Sequence, residues 1–385
     1  MRGQTFIPRN YEVFAGLDVD KRSISVTFTA HQGFLKSLRL PYSVEHLLNH
    51  VRKHFSDQQV AFAYEAGPTG YGLYDGLAAH AYPGLVVAPS MIPKAPGQRV
   101  KTTRLDSRSL SENWRGGPRK SLHVPSPSYR ELRHLTQLRD TFVSEVVAMK
   151  LRIKSRLLLE GIPFPSAPAG SQGSLLVKAA LRKLPCSGTV RFKLAQVLDS
   201  LEFGEKQAVK TTKEIRRFCQ HEPELAQGLK YWLTIPGSGW IVASQRLARI
   251  GDWRELQKVR QLAGFLGVVP TEHSTGERTA RGAITHSGDG RLRSKLSQAS
   301  WSALRQDGEL REFYRSGCRT HPRARAARVA IVAVARKLTT RIAAVLMEHR
   351  PDVVRKEVPP PPVTTEETRP QGTTRRRREP GESNS

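Results

Sequence analysis

Residues 131–160 read ELRHLTQLRDTFVSEVVAMKLRIKSRLLLE, with apolar side chains at Leu132, Leu135, Leu138, Phe142, Val146, Met149 and Ile153. Intervals of three and four residues place these on one continuous stripe of a single long helix. Gly161, Pro163 and Pro165 end the pattern. A helix this long divides the chain. The residues before it carry strand signals, and those after it are mostly helical.

In the first part, VFAGLDV at 13–19 is a short apolar run, and SISVTFTA at 23–30 alternates polar and apolar residues with period two. Residues 35–40 supply a third strand, and Ser43 has the place of an N-cap before VEHLLNHVRKHF. QVAFAY at 59–64 reads as a buried strand, 71–80 as a helix, and LVVA at 85–88 as a strand ended by Pro89. Three hairpin-linked strands followed by strand–helix units give the order of a ribonuclease-H-like mixed sheet. Beyond the long helix come a Pro/Gly/Ser linker at 166–174 and further helices at 175–229. Residues 231–349 are mostly helical, apart from a Gly/Ser/Thr-rich stretch between Val269 and Gly290.

The expected fold class is therefore α/β plus all-α. Residues 1–10 form a flexible N-terminus, 11–125 an α/β domain, and 126–228 a helical linker region with a coiled-coil-like helix at 129–160. Residues 229–349 form a helical domain. The tail at 350–385 has too few apolar residues to fold.

Lys and Arg number 62 against 34 Asp and Glu, for a net charge of +28. Residues 351–385 add only +1 of this, so the excess lies on the part that folds. That excludes a neutral enzyme carrying a basic tail. It calls for a polyanionic partner, because cations that neutralise phosphates release condensed counterions. Cys186, Cys219 and Cys318 have no C-x-x-C spacing, which argues against a disulfide framework and a zinc site. The N-terminal residues lack the apolar core of a signal peptide, and no apolar stretch approaches a membrane span. The expectation is a cytoplasmic, nucleoid-associated protein with no membrane contact.

Two groups of residues could carry chemistry. Asp18 ends the first apolar strand, alternation puts Asp20 on the same face, and Glu65 ends the buried strand QVAFAYE. Acids at neighbouring strand ends meet where α/β sheets bind ligands, and clustered carboxylates need a hard cation such as Mg²⁺ to offset their repulsion. Read singly, each is more readily a surface residue at a strand end; their joint placement at two apolar strand ends brings the two readings level. Asp106, near the start of an amphipathic helix in KTTRLDSRSLSENW, is either a further site acid or a dipole-stabilised helix acid.

In the second part, LTIPGSGWIVASQRLARIG has the form of a helix-hairpin-helix. Gly237 and Gly239 would let backbone amides approach a DNA phosphate at a helix N-terminus, or simply make a tight turn. Ser274 and Thr275 lie in a polar loop flanked by Arg278, Arg281, Arg291 and Arg293. A hydroxyl among cations could attack a phosphate if activated, although most Ser-Thr-Gly loops are only turns.

Taken together, GLDVDKR, AYEAGPTGYGLY, VVAPSMIPK, KTTRLDSRSL, IPGSGWIVASQRLARIGDW, LAGFLGVVPTEHSTGE, GAITHSGDGRLRSKLSQASW and AVARKLTTRIAAVL resemble, in order and spacing, the insertion-sequence 110 family of D-E-D-D transposases. The resemblance spans roughly residues 12–348. It implies a RuvC-like nuclease domain, a long helical linker and a helical transposase domain carrying a serine. It further implies DNA strand cleavage and rejoining dependent on Mg²⁺ (or Mn²⁺), through a covalent hydroxyl–DNA link. A structured guide RNA and a homo-oligomer, dimer or tetramer, belong to the same implication. Asp18, Glu65 and Asp106 match three of the four family acids.

Thr103 stands where the family has the remaining Asp, Thr275 where the family serine precedes the glycine (with Ser274 beside it), and His286 where a lysine is usual. Threonine brings no charge to a metal, and its β-methyl restricts the rotamer of an attacking hydroxyl. Asp20 is a candidate to compensate for Thr103. Against the transposase stand two alternatives: a catalytically silent DNA- or RNA-binding protein of the same descent, and a Holliday-junction resolvase acting alone. The second leaves the Ser-Thr-Gly loop unexplained.

Overall fold

The computed structural model describes residues 6–89, 92, 103–116, 121–166, 173–252, 258–272, 275, 281–320 and 322–353. Its first part is a five-stranded sheet in the order β3-β2-β1-β4-β5. β1 (Val13–Val19), β2 (Ser23–Ala30) and β3 (Gly33–Pro41) form an antiparallel meander. β4 (Val60–Glu65) then pairs parallel with β1, and β5 (Gly84–Val87) parallel with β4. The crossovers are α1 (Val44–His54), capped by the Ser43 hydroxyl, and α2 (Gly72–Ala79).

Alternation along the strands builds two cores. One face sends Leu17, Ile24, Val26, Phe28, Phe62 and Tyr64 against Leu47, Leu48, Leu73 and Leu77 of α1 and α2. The other sends Phe14, Ala61, Ala63 and Leu85 against Leu110 and Trp114 of α3 (Thr103–Arg115). Phe6 was expected in a flexible N-terminus. It is instead buried, stacked on Tyr11 and set edge-on to Trp114 with ring centroids 5.0 Å apart; its apolar burial outweighs the entropy of the free chain end.

At Gly16 the backbone of α3 approaches that of β1 with no side chain between them. A Cβ built on Gly16 would lie 2.2 Å from the Ser107 carbonyl oxygen and 2.4 Å from the Ser111 amide nitrogen. The buried Ser107 hydroxyl also bonds the Thr27 hydroxyl of β2 at 2.9 Å. Only glycine in β1 allows this approach.

The long helix, α4, runs Pro127–Leu159 with Pro at its start, as the apolar stripe predicted. It packs along α6 (Gly188–His221), and α5 (Gly173–Arg182) lies beside their far end. The other end of the pair is rooted in the C-terminal core. There Tyr129, Leu132, Ile215 and Cys219 join Trp232 of α7 (Pro223–Thr234) and Leu247 of α8 (Trp240–Ile250). α9 (Val259–Leu266), α10 (Gly290–Gln306) and α11 (Gly308–Thr320) surround α12 (Arg323–Glu348), whose Val334, Leu338, Ile342 and Leu346 are buried through the middle. Within the Gly/Ser/Thr-rich stretch, β6 (Pro270–Glu272) and β7 (Arg281–Ile284) pair antiparallel, which the sequence had not marked. Most of the tail, residues 354–385, and most of the 166–174 linker lie outside the described residues.

Gly16→Ala is expected to push α3 off the sheet and to cost at least about 3 kcal/mol, the upper range of overpacking, because both clashing atoms are backbone. Urea unfolding of the two proteins measures it.

Candidate active site and nucleic-acid interface

The register of the parallel β1–β4 pair runs to Leu17 opposite Tyr64. One residue further along each chain come Asp18, next to last in β1, and Glu65, the last residue of β4. Leu17 and Tyr64 point into the α1/α2 core, so alternation turns Asp18 and Glu65 to the face that carries Gly16 and Ala63. That is the face under α3. Asp106 lies in the first turn of α3, directly before the Ser107 that covers Gly16. All three acids are half-buried.

The sheet therefore delivers two predicted acids to one edge, and the helix covering that edge delivers the third. Thr103, one turn before Asp106, begins the same helix. Among the described residues, no three His, Cys, Asp or Glu side chains close into a group able to hold a metal ion. The acids share a face without forming a finished cage. Asp20 does not join them. β1 ends at Val19, and the exposed Asp20 carboxylate accepts the Lys21 amide at 2.7 Å in the β1–β2 turn.

The hairpin turn between α7 and α8 has a different role at each glycine. Gly237, with φ +76°, donates its amide to the Gln306 side chain at 2.8 Å, and its Cα faces the Ala299 carbonyl so closely that a Cβ would come within 2.1 Å. Its expected phosphate contact is corrected to a packing role against α10, since the amide is already bonded. Gly239 is exposed, has nothing within 4 Å of where a Cβ would stand, and caps α8 with no side-chain hydrogen bond.

The arginines divide in the same way. Arg291 is exposed on the first turn of α10. Arg293 turns inward and donates to the carbonyls of Leu266 at 3.2 Å and His286 at 3.5 Å. Its expected nucleic-acid contact is corrected to a tie between the end of α9 and the loop before α10. Arg281 opens β7 opposite Glu272, and Thr275 is exposed between the two strands. Ser274 and Arg278 lie outside the described residues.

Asp289 caps α10 through Oδ1, which accepts from the Arg291 and Leu292 amides, while Oδ2 accepts from Arg249 at 2.5 Å. Burial raises this carboxyl's pKa, but the amide and guanidinium donors outweigh it and hold the value below the usual carboxylate range.

Arg246 was not anticipated from the sequence. It is 2% exposed, bonds the Ser238 hydroxyl at 2.7 Å, and lies over the Trp232 ring. The signal was present: Ala243, Leu247 and Ile250 define the inward stripe of α8, and Arg246 falls on that stripe.

Comparison with known proteins gives a consistent result over both parts of the chain. The model described as "Transposase IS116/IS110/IS902 family" matches residues 230–315, and a D-E-D-D IS110 transposase model matches residues 15–162. A putative transposase of Sinorhizobium fredii, y4qE, is 30% identical over 76% of this chain and 72% of its own length. The transposase for insertion sequence element IS1328 of Yersinia enterocolitica is 29% identical over 55% of this chain and 63% of its own. A pilin gene-inverting protein of Moraxella bovis is 30% identical over 34% and 40%.

Asp289→Asn keeps a capping side chain but removes the charge that Arg249 meets. It is expected to lower stability by about 1–2 kcal/mol at neutral pH. A depressed folded pKa gives stability that is present above the unfolded value of about 3.9 and lost as pH falls through the lower folded value. The difference between the proteins should therefore begin to shrink as pH falls below about 4 and vanish only below the lower folded value, which urea unfolding across pH would show.

Proposed function

The chain belongs to the IS116/IS110/IS902 family of transposases, and from that premise we propose that it cleaves and rejoins DNA strands using two sets of residues. Asp18, Glu65 and Asp106 form the acidic set, and a hydroxyl from Ser274 or Thr275 is the nucleophile. The observation that carries this reading is the placement of Asp18 and Glu65 at adjacent parallel strand ends beneath α3, which bears Asp106. The meander followed by parallel β4 and β5 supports a RuvC-like nuclease domain.

An all-oxygen carboxylate set suits a hard cation, so Mg²⁺ (or Mn²⁺) fits the residues present. Asp18, Glu65 and Asp106 would hold it, with Thr103 contributing no charge. Bound there, the ion would stabilise the charge that develops on the phosphate and its leaving oxygen. The chain's own residues do the rest. The exposed Thr275 loop presents a hydroxyl, Arg291 contributes positive charge beside a phosphate, and Gly239 leaves the start of α8 open to the backbone of a duplex.

The charge of +28 supports DNA, and a structured guide RNA, as partners. Exposed Leu151, Leu158 and Leu159 of α4, with Phe192 and Phe203 of α6, support assembly into a dimer or tetramer. No helix among the described residues is long and apolar enough to cross a membrane, in keeping with action on DNA in the cytoplasm. A second reading, a nucleic-acid-binding protein without strand transfer, is favoured by Thr103 in the place of an acid.

Full-length protein, incubated with Mg²⁺, duplexes carrying the ends of its own element and the RNA transcribed from that element, is expected to form a covalent protein–DNA adduct. Peptide mapping should locate the adduct at Ser274 or Thr275. Asp18→Ala, Glu65→Ala and Asp106→Ala should each slow its formation about a thousandfold, equivalent to several kcal/mol. An adduct insensitive to these changes and to chelation would overturn the acidic site.

Thr103→Asp adds the missing charge on the same face of α3 as Asp106. It is expected to lower the Mg²⁺ concentration needed for half-maximal rate. Adduct formation only with this variant would favour the binding-protein reading of the natural chain.

A further inference from the structure

The exposed residues of α10 fall on one line. Arg291, Ser294, Gln298, Trp301 and Arg305 are all exposed, and at about 100° per residue they share an arc of about 80°. The buried residues of the helix, from Leu292 to Leu304, face the C-terminal core from the other side. Tryptophan has the most apolar surface to take out of water, yet Trp301 points away from that core and stays 45% exposed.

The ring is nevertheless held. Tyr314 of α11, itself packed against the C-terminal core, meets Trp301 with ring centroids 5.5 Å apart and planes inclined at 65°. This tilted contact fixes the indole before any ligand arrives, so little side-chain entropy is left to lose on binding. The charge around it has one sign. α10 contains no Asp or Glu, and Glu312, the acid of α11 next to Tyr314 in sequence, is engaged by Arg315 at 3.7 Å and Arg319 at 3.2 Å. A protein partner would need an apolar patch here, and this face has a single aromatic ring among polar and cationic side chains. A nucleobase matches it, because every base has a π-face and carries phosphates on either side.

We propose that Trp301 is a stacking site for an unpaired base of single-stranded DNA, with Arg291 and Arg305 meeting phosphates of the same strand. Arg305 stands about 6 Å beyond Trp301 along the helix axis and Arg291 about 15 Å before it. Ser294 and Gln298, between the first arginine and the ring, offer hydrogen bonds to the strand. The proposal rests on the reading of the chain as one that cleaves and rejoins DNA, a reaction that leaves a strand unpaired beside the cut. Arg291, which that reading sets beside a phosphate, begins the line that leads to Trp301.

The test measures binding of the full-length protein to an oligothymidylate, to an abasic strand of the same length, to an oligouridylate and to a duplex of unrelated sequence. The wild type should prefer the oligothymidylate to the abasic strand about tenfold, the worth of one stacked base. Trp301→Leu, which keeps an apolar side chain against Tyr314, should lose this preference, and Trp301→Phe should keep most of it. Duplex binding should be the same in both variants as in the wild type. Arg305→Gln should retain the preference and make the salt dependence of single-strand binding shallower by about 0.7.

An unchanged preference in Trp301→Leu would overturn the proposal, as would a Trp301 effect confined to the oligouridylate. If Trp301→Leu alters sedimentation of the protein and leaves the preference intact, the ring is a contact between copies and the proposal fails. If the wild type forms no covalent adduct but still prefers the oligothymidylate through Trp301, strand transfer fails as the function and this site stands. A wild-type adduct without that preference removes this site and leaves strand transfer standing.

Discussion

The first two turns of α4 tie the molecule together. Ser126 and Ser128 donate to Glu224 and Glu222 at the start of α7, and Arg130 makes two bonds of 2.8 and 2.9 Å to Asp75 of α2. Arg133 donates to the carbonyls of Ala248 and Arg249 at the end of α8, and Tyr129 and Leu132 are fully buried in the C-terminal core. The bidentate geometry of the Arg130–Asp75 pair fixes direction as well as distance. Asp75 is about half exposed, so solvent screens the energy of the pair, and its chief contribution is orientation. The apolar burial on the opposite side of these turns supplies most of the stability.

This arrangement gives α4 two functions along its length. Its first turns anchor the sheet domain to the helical core. Its far end, beyond Val146, belongs to a separate core with α6 and leaves Leu151, Leu158 and Leu159 in solvent. A helix rooted at one end and apolar at the other is suited to carry an interface away from the residues that do chemistry. The placement of α3 over the sheet depends instead on the close backbone approach at Gly16, beside the Thr27–Ser107 hydrogen bond. Architecture and site are thus fixed by different contacts, one polar and directional, the other steric.

The parts of the fold that were legible in the sequence are those with a strong period. β1 and β2 matched their apolar and alternating runs, and α4 matched its stripe to within a few residues. The β6–β7 pair escaped because its strands are short and polar and lie in a Gly/Ser/Thr-rich stretch where composition signals only turns. At the candidate site, the placement of Asp18 and Glu65 near strand ends was legible because strand ends are. The hydrogen-bond partners of Gly237 and Arg293 were not, for a common reason: which way an amide or guanidinium faces depends on groups distant in sequence. Gln306 and the Leu266 carbonyl supply those partners. Arg246 shows the converse, a cation on an apolar stripe whose surroundings, the Ser238 hydroxyl and the Trp232 ring, emerged only from the fold.

The two departures from the family pattern act on opposite sides of one balance. If Asp18, Glu65 and Asp106 act as the proposed set, three carboxylates would repel one another less than four. The same change would reduce the charge available to hold a cation, because ligand charge count is what tunes affinity for a hard ion. Thr275 retains the hydroxyl but fixes it more rigidly than serine would, which favours attack only if that one rotamer faces the phosphate. On the proposed function, a site altered in this way would depend more on how well the DNA is positioned than on how tightly the ion is held. Backbone phosphate contacts would then carry a larger share of the work, because fixing the duplex is what brings phosphate and hydroxyl into line.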